Sequence, residues 1–112
     1  MKIAERQIGD VTIIDLQGKI MFGDGDEALR DAVNQAIESG KSRIILNMAE
    51  VPYVDSAGLS ELVRSYVALS KSAGRLKLLD LSKKVQDLLT ITKLVTVFEA
   101  FDSEEAAVKS FG

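Results

Sequence analysis

The chain has 112 residues, 46% of them hydrophobic and 28% charged, so a single domain with a real hydrophobic core is expected over residues 1–112, and disorder is not. Its 14 basic and 17 acidic side chains leave a formal net charge of −3, which gives no general attraction to nucleic acid or anionic lipid. Cysteine and histidine are both absent, which excludes disulfides, thiolate chemistry, Ser-His-Asp triads, histidine phosphotransfer and nearly all common zinc sites.

Residues 3–8 and 11–17 read as two short strands split by Gly9-Asp10, a tight-turn dipeptide that predicts an antiparallel hairpin. Val11, Ile13, Ile14 and Leu16 make the second strand mostly buried, and Gln17-Gly18 ends it. The loop Lys19-Ile20-Met21-Phe22-Gly23-Asp24-Gly25-Asp26 follows. Next comes a helix, because Leu29, Ala32, Val33, Ala36 and Ile37 recur at three- and four-residue spacing and Gly40 lies just past its end. Arg43-Ile44-Ile45-Leu46-Asn47-Met48 is a short, nearly continuous apolar run that suits a strand buried on both faces of a parallel sheet, and Pro52 marks loop beyond it. A long helix then carries Leu59, Leu62, Val63, Tyr66, Val67, Leu69 and Ala73, stopped by Gly74.

Leu76 to Leu81 reads as another strand, and Ser82 caps a helix whose Val85, Leu88, Leu89 and Thr92 share a face. A last strand is expected from Val95 to Glu99, and Asp102 with Glu105 resembles a capping box opening a C-terminal helix with Ala106, Val108 and Phe111. A hairpin followed by alternating helix and strand predicts an α/β domain with a mixed, mainly parallel sheet and about four helices. No apolar run approaches the roughly 20 residues of a membrane-spanning helix, and Met1 to Arg6 lacks a signal-peptide apolar region, so a cytoplasmic location without membrane contact is the expectation.

Gly23-Asp24-Gly25-Asp26-Glu27-Ala28 matches the G-x-G-x-x-A dinucleotide fingerprint. However, Asp24, Asp26 and Glu27 would put three negative charges where a pyrophosphate binds, and the preceding strand belongs to a hairpin. Nucleotide binding here is therefore a lesser alternative. The same acids lack calcium-loop spacing, and nothing places two of them across a cleft as glycoside chemistry requires. No catalytic residue, metal site or cofactor is expected.

Tyr53-Val54-Asp55-Ser56-Ala57-Gly58-Leu59 is the junction where an apolar strand gives way to the long helix. Asp55 and Ser56 fall at or beside the N-cap, where a side-chain oxygen accepts a free backbone N–H. Two readings stay open. The pair is only a cap, or the serine is also a modifiable hydroxyl, since a phosphate there would carry about −1.5 to −2 charges beside the positive helix end. The fold would tolerate that dianion, whereas a partner packed on the helix end would not.

The Asp55-Ser56-Ala57-Gly58-Leu59 motif, between strand and helix, resembles the signature of the anti-sigma factor antagonists of the STAS family. The resemblance extends over nearly the whole chain in length and element order. It implies helices mainly on one face of the sheet and phosphorylation of Ser56 by a partner that is both anti-sigma factor and serine kinase, countered by a serine phosphatase. The implied partner surface comprises Asp55, Ser56, Ala57, Gly58, Leu59 and Ser60 together with the loop residues Met21, Phe22, Gly23 and Asp24, on a monomer or weak dimer. The chain departs from the family pattern at Met21, where relatives usually carry an aspartate. The loop is one residue longer, with Asp24 displaced; Ala57 replaces a frequent second hydroxyl, and Ser60 a frequent glycine. Arg64 is read as a surface arginine or as a partner for phosphate. A non-phosphorylated adaptor in a signalling or lipid-transport assembly is the main alternative function.

Overall fold

The computed structural model describes residues 1–112. The hairpin forms as its turn dictates: β1 (Lys2–Ile8) pairs antiparallel with β2 (Val11–Gln17), and Gly9 at the corner has φ +60°. From there the chain alternates through α1 (Gly25–Glu38), β3 (Arg43–Glu50), α2 (Ser56–Lys71), β4 (Arg75–Leu79), α3 (Lys83–Ile91), β5 (Ala100–Phe101) and α4 (Glu104–Lys109). The sheet order is β1-β2-β3-β4-β5, and every pairing after the first is parallel. The carboxyl ends of β2, β3 and β4 therefore share one edge.

Three helices cover one face of the sheet. Leu29, Val33 and Ala36 of α1, Leu62 and Leu69 of α2, and Val85 and Leu89 of α3 pack on Ile14, Leu16, Ile44, Leu46, Leu76 and Leu78. The opposite face of the same strands presents Val11, Ile13, Ile45 and Leu79, which α4 alone covers with Ala107 and Phe111. The continuous apolar run of β3 is thus explained by burial on both faces.

Lys77 and Glu61 are among the five polar residues buried in this frame. Lys77 on β4 is 1% exposed beneath α4, where its ammonium donates to the Ser110 Oγ at 2.8 Å and lies 4.4 Å from the Phe111 ring centroid. Glu61 on α2 is 3% exposed, and its carboxylate accepts from the Arg30 Nε of α1 at 2.9 Å and from the Arg64 Nε. Arg64 also donates to the Asn34 Oδ1 at 3.3 Å, so it ties α2 to α1. It is neither simply solvated nor free for a phosphate.

The C-terminal third corrects three expectations. No strand runs from Val95 to Glu99: Leu94–Thr96 is a 3-10 turn reached through Lys93 at φ +63°, and β5 is only two residues long. Val95 and Val97 are exposed, whereas Leu94 and Phe98 face the core four residues apart, a helical spacing that outweighs β-branching. The helix cap is Ser103, not Asp102: the Ser103 Oγ accepts the Ala106 N–H at 3.2 Å, and Glu105 instead pairs with Lys109 at 2.8 Å. The strand expected over 76–81 stops at Leu79, because Asp80 turns the chain at φ +56°.

Candidate functional site

At the shared strand edge, the segments after β2 and β3 are stitched together. Ile20 and Val54 form a parallel bridge; the Ile20 N–H donates to the Tyr53 carbonyl at 3.0 Å, and the Asp55 N–H to the Ile20 carbonyl at 3.2 Å. Two helix starts press on this seam. A Cβ on Gly58 of α2 would lie 2.1 Å from the Ile20 carbonyl oxygen, and one on Gly25 of α1 would lie 2.3 Å from the Lys19 carbonyl oxygen. Only glycine lets both helices approach so closely.

The two cap candidates separate here. Asp55 is the N-cap of α2: its Oδ1 accepts the Gly58 N–H at 2.8 Å, and its Oδ2 accepts the Phe22 N–H of the neighbouring loop at 3.0 Å. Ser56 is the first residue of the helix; its side chain is exposed and its hydroxyl makes no hydrogen bond within the chain. One carboxylate thus fixes both the helix start and the loop, and the serine beside it is left free.

The residues expected to form one surface lie on two segments that meet through the Phe22–Asp55 hydrogen bond, with different exposures. Met21, Phe22, Gly23 and Asp24 are exposed, Phe22 to 81%, as are Ser56 and Ser60. Asp55, Ala57 and Leu59 are half-buried, and Gly58 is buried under Ile20. Asp24 accepts from the amino terminus of Met1 at 3.4 Å. Asp26 is buried, and its Oδ1 accepts the Gly23 and Glu27 N–H groups at 2.9 and 2.8 Å. The chain's own carboxylate thus holds amides at the start of α1 that a pyrophosphate would need, and the seam leaves Gly25 no space.

Sequence reasoning missed the groove beside Ser56. Tyr53, Asp55, Ser56 and Leu59 line one side, and Lys84, Val85, Asp87, Leu88 and Ile91 of α3 line the other, around about 460 Å³. Ile91 is 78% exposed. In the sequence it is one more apolar residue in a helical period, and only the placement of α3 against α2 shows that it faces away from the core.

The Gly58 N–H, then the Phe22 N–H, hold the Asp55 carboxyl below the ordinary value of 3.8. On β2, the Arg6 guanidinium does the same for Asp15, helped by Asn47. A carboxyl whose pKa is depressed by folding contributes stability above its unfolded value and loses it as pH falls through the folded one. The Phe22 amide is therefore expected to keep its hydrogen-exchange protection at neutral pH and to lose it only as pH falls below the ordinary carboxyl value of 3.8, through the lowered folded one. Amide exchange measured against pH checks this; an unchanged Phe22 amide at low pH, with the core still folded, would contradict the Asp55 contact.

The family model for the STAS domain matches residues 2–107. BtrV of Bordetella bronchiseptica, described as a candidate anti-sigma factor antagonist, is 26% identical over 111 residues, covering 99% of this chain and 95% of BtrV. Among solved structures, the Bacillus cell fate determinant SpoIIAA in its phosphorylated form superposes with a TM-score of 0.75 at 22% identity, over 99% of this chain and 100% of that one. A sulfate transporter family protein from Wolinella succinogenes reaches a TM-score of 0.80 at 23% identity, over 92% and 85%. At such identities the two structures establish a shared fold and do not choose between their functions. No helix is long and apolar enough to cross a membrane.

Proposed function

Because the chain belongs to the STAS domain family, we propose that it is a cytoplasmic anti-sigma factor antagonist, a single STAS domain over residues 1–112 switched by phosphorylation of Ser56. The observation that carries this reading is the free Ser56 hydroxyl: Asp55 already caps α2 and holds Phe22, so the serine has no structural task at the helix start. Unphosphorylated, the chain binds an anti-sigma factor that is also a serine kinase, and a sigma factor is freed. The contact surface is the Ser56 helix start with Ala57, Leu59 and Ser60, flanked by Met21, Phe22, Gly23 and Asp24. Asp55 and Gly58 shape it from beneath.

In the switching step the Ser56 Oγ attacks the γ-phosphorus of ATP held by the kinase. A new O–P bond forms, the bond to the ADP oxygen breaks, and the hydroxyl proton leaves to a base of the kinase. The chain supplies the nucleophile and no catalytic group. A serine phosphatase reverses the step by hydrolysis. The resemblance to BtrV supports the antagonist role.

The adaptor alternative is favoured by Met21, exposed where the family usually has an aspartate, and by the fold shared with a transporter family protein. Incubating the complex of the chain and its anti-sigma kinase with ATP separates the two readings. The expected result is one phosphate mapped to Ser56 by peptide mass spectrometry, with release of the chain, while Ser56→Ala stays bound. Release of Ser56→Ala by ATP would end the switch, and a stable complex without phosphate would establish the adaptor.

A further inference from the structure

Lys84 stands across the groove from Ser56 with a charge that nothing neutralises. Its neighbour Lys83 pairs with Asp87 at 3.3 Å, but Lys84 makes no ion pair or hydrogen bond and rests its ammonium 5.8 Å from the Tyr53 ring centroid. Tyr53, Ser56 and Lys84 line the same cavity. The other charges around it are carboxylates already engaged, Asp55 by the Gly58 and Phe22 N–H groups and Asp87 by Lys83. Lys84 is therefore the one uncommitted cation lining the cavity beside Ser56.

We infer that Lys84 receives the phosphate of phosphorylated Ser56 as an ion pair across the groove. This rests on the reading of Ser56 as the modified residue and adds how the modified state is held. A cation loosely held over an exposed ring gains more from a dianion than from the ring's quadrupole, so the ammonium leaves Tyr53. The pair then bridges the start of α2 and the first turn of α3, and the groove gains a paired dianion where it had one free cation. A partner side chain that enters between Tyr53 and Ile91 meets a fixed, hydrated ion pair. Lys84 is thus a positioning residue for the switched state and has no part in the phosphoryl transfer.

The test uses full-length chain with phosphoserine installed at position 56 during synthesis, so it does not depend on the kinase. The phosphate's second ionisation, ordinarily near 6, is followed by phosphorus NMR against pH. In the native chain that value is expected to lie about 0.5 below that of Lys84→Gln, because the ammonium favours the dianion. Lys84→Arg should restore the depression, and Lys83→Gln should leave it nearly unchanged. On phosphorylation the Tyr53 ring resonances should shift in the native chain and not in Lys84→Gln. Equal titrations in the native chain and Lys84→Gln, or equal effects of Lys83→Gln and Lys84→Gln, would overturn the pairing. If instead Ser56 carries no phosphate after treatment with ATP and kinase, the proposed switch falls while this titration still reports on Lys84.

Discussion

Gly58→Ala is expected to destabilise the chain by about 3 kcal/mol, lowering the melting temperature by roughly 15 °C. The sign is the informative part. Within a helix, glycine to alanine ordinarily stabilises by up to about 1 kcal/mol, because glycine has the more flexible unfolded chain. Here the new methyl would lie 2.1 Å from the Ile20 carbonyl oxygen and 2.9 Å from the Ile20 Cγ2, and neither is the end of a long, adaptable side chain. Relief requires α2 to lift off the seam or the Lys19–Ile20 backbone to retreat. Either movement separates the Asp55 carboxylate from the Phe22 N–H, so the loop should loosen together with the fold. Gly25→Ala meets the same seam from α1, at 2.3 Å from the Lys19 carbonyl oxygen. Since both substitutions push one dipeptide, their costs should be less than additive. Thermal unfolding of the two single variants and the double variant measures this. A raised melting temperature for Gly58→Ala would show that the seam yields freely and that the helix start is not held in place by it.

The same seam marks where sequence reading ends. The hairpin, the four helices and the parallel core strands were legible because each rests on a local period or turn residue: Gly9 at the corner, Leu29 to Ile37 on one stripe, Ile44 to Leu46 as an apolar run. Ser82 was legible as a cap for the same reason, its hydroxyl accepting the Val85 N–H at 3.2 Å. Val95 to Glu99 misled because exposed valines carry the composition of a strand without its burial. The burial of Glu61 and Lys77 was hidden, since a charged residue in a helix or strand reads as outward-facing until its partners on distant elements are known. Of the site, the helix start and the flanking loop were legible as separate stretches. Their connection through one carboxylate joins residues 33 apart in sequence, and the groove with α3 likewise forms only where the sheet edge brings distant elements together.

Phosphorylation of Ser56 is expected to weaken binding to the anti-sigma kinase by about 100-fold or more, close to 3 kcal/mol, while leaving the melting temperature within about 4 °C. The two effects differ because the phosphate meets different surroundings in the free and bound chains. In the free chain Ser56 is exposed and opens α2, where a negative charge is favoured by the helix dipole by a fraction of 1 kcal/mol, partly offset by the adjacent Asp55 carboxylate. The new oxygens stay hydrated beside the Lys84 ammonium, and neither the Gly58 nor the Phe22 hydrogen bond has to break. In the complex the same group would lie between Phe22 and the groove that leads to Ile91, both strongly exposed in the free chain. Stripping water from a dianion against apolar partner atoms costs several kcal/mol unless a matching cation is provided. Ser56→Ala should bind within about threefold of the native chain, because the hydroxyl it removes has no hydrogen bond to lose. Calorimetric titration of the native, phosphorylated and Ser56→Ala chains against one kinase preparation checks the set. Equal losses for the phosphorylated chain and Ser56→Ala would make the hydroxyl itself the partner contact. Weakened binding accompanied by a collapse in melting temperature would mean that release proceeds by unfolding the helix start, not by charge at an intact surface.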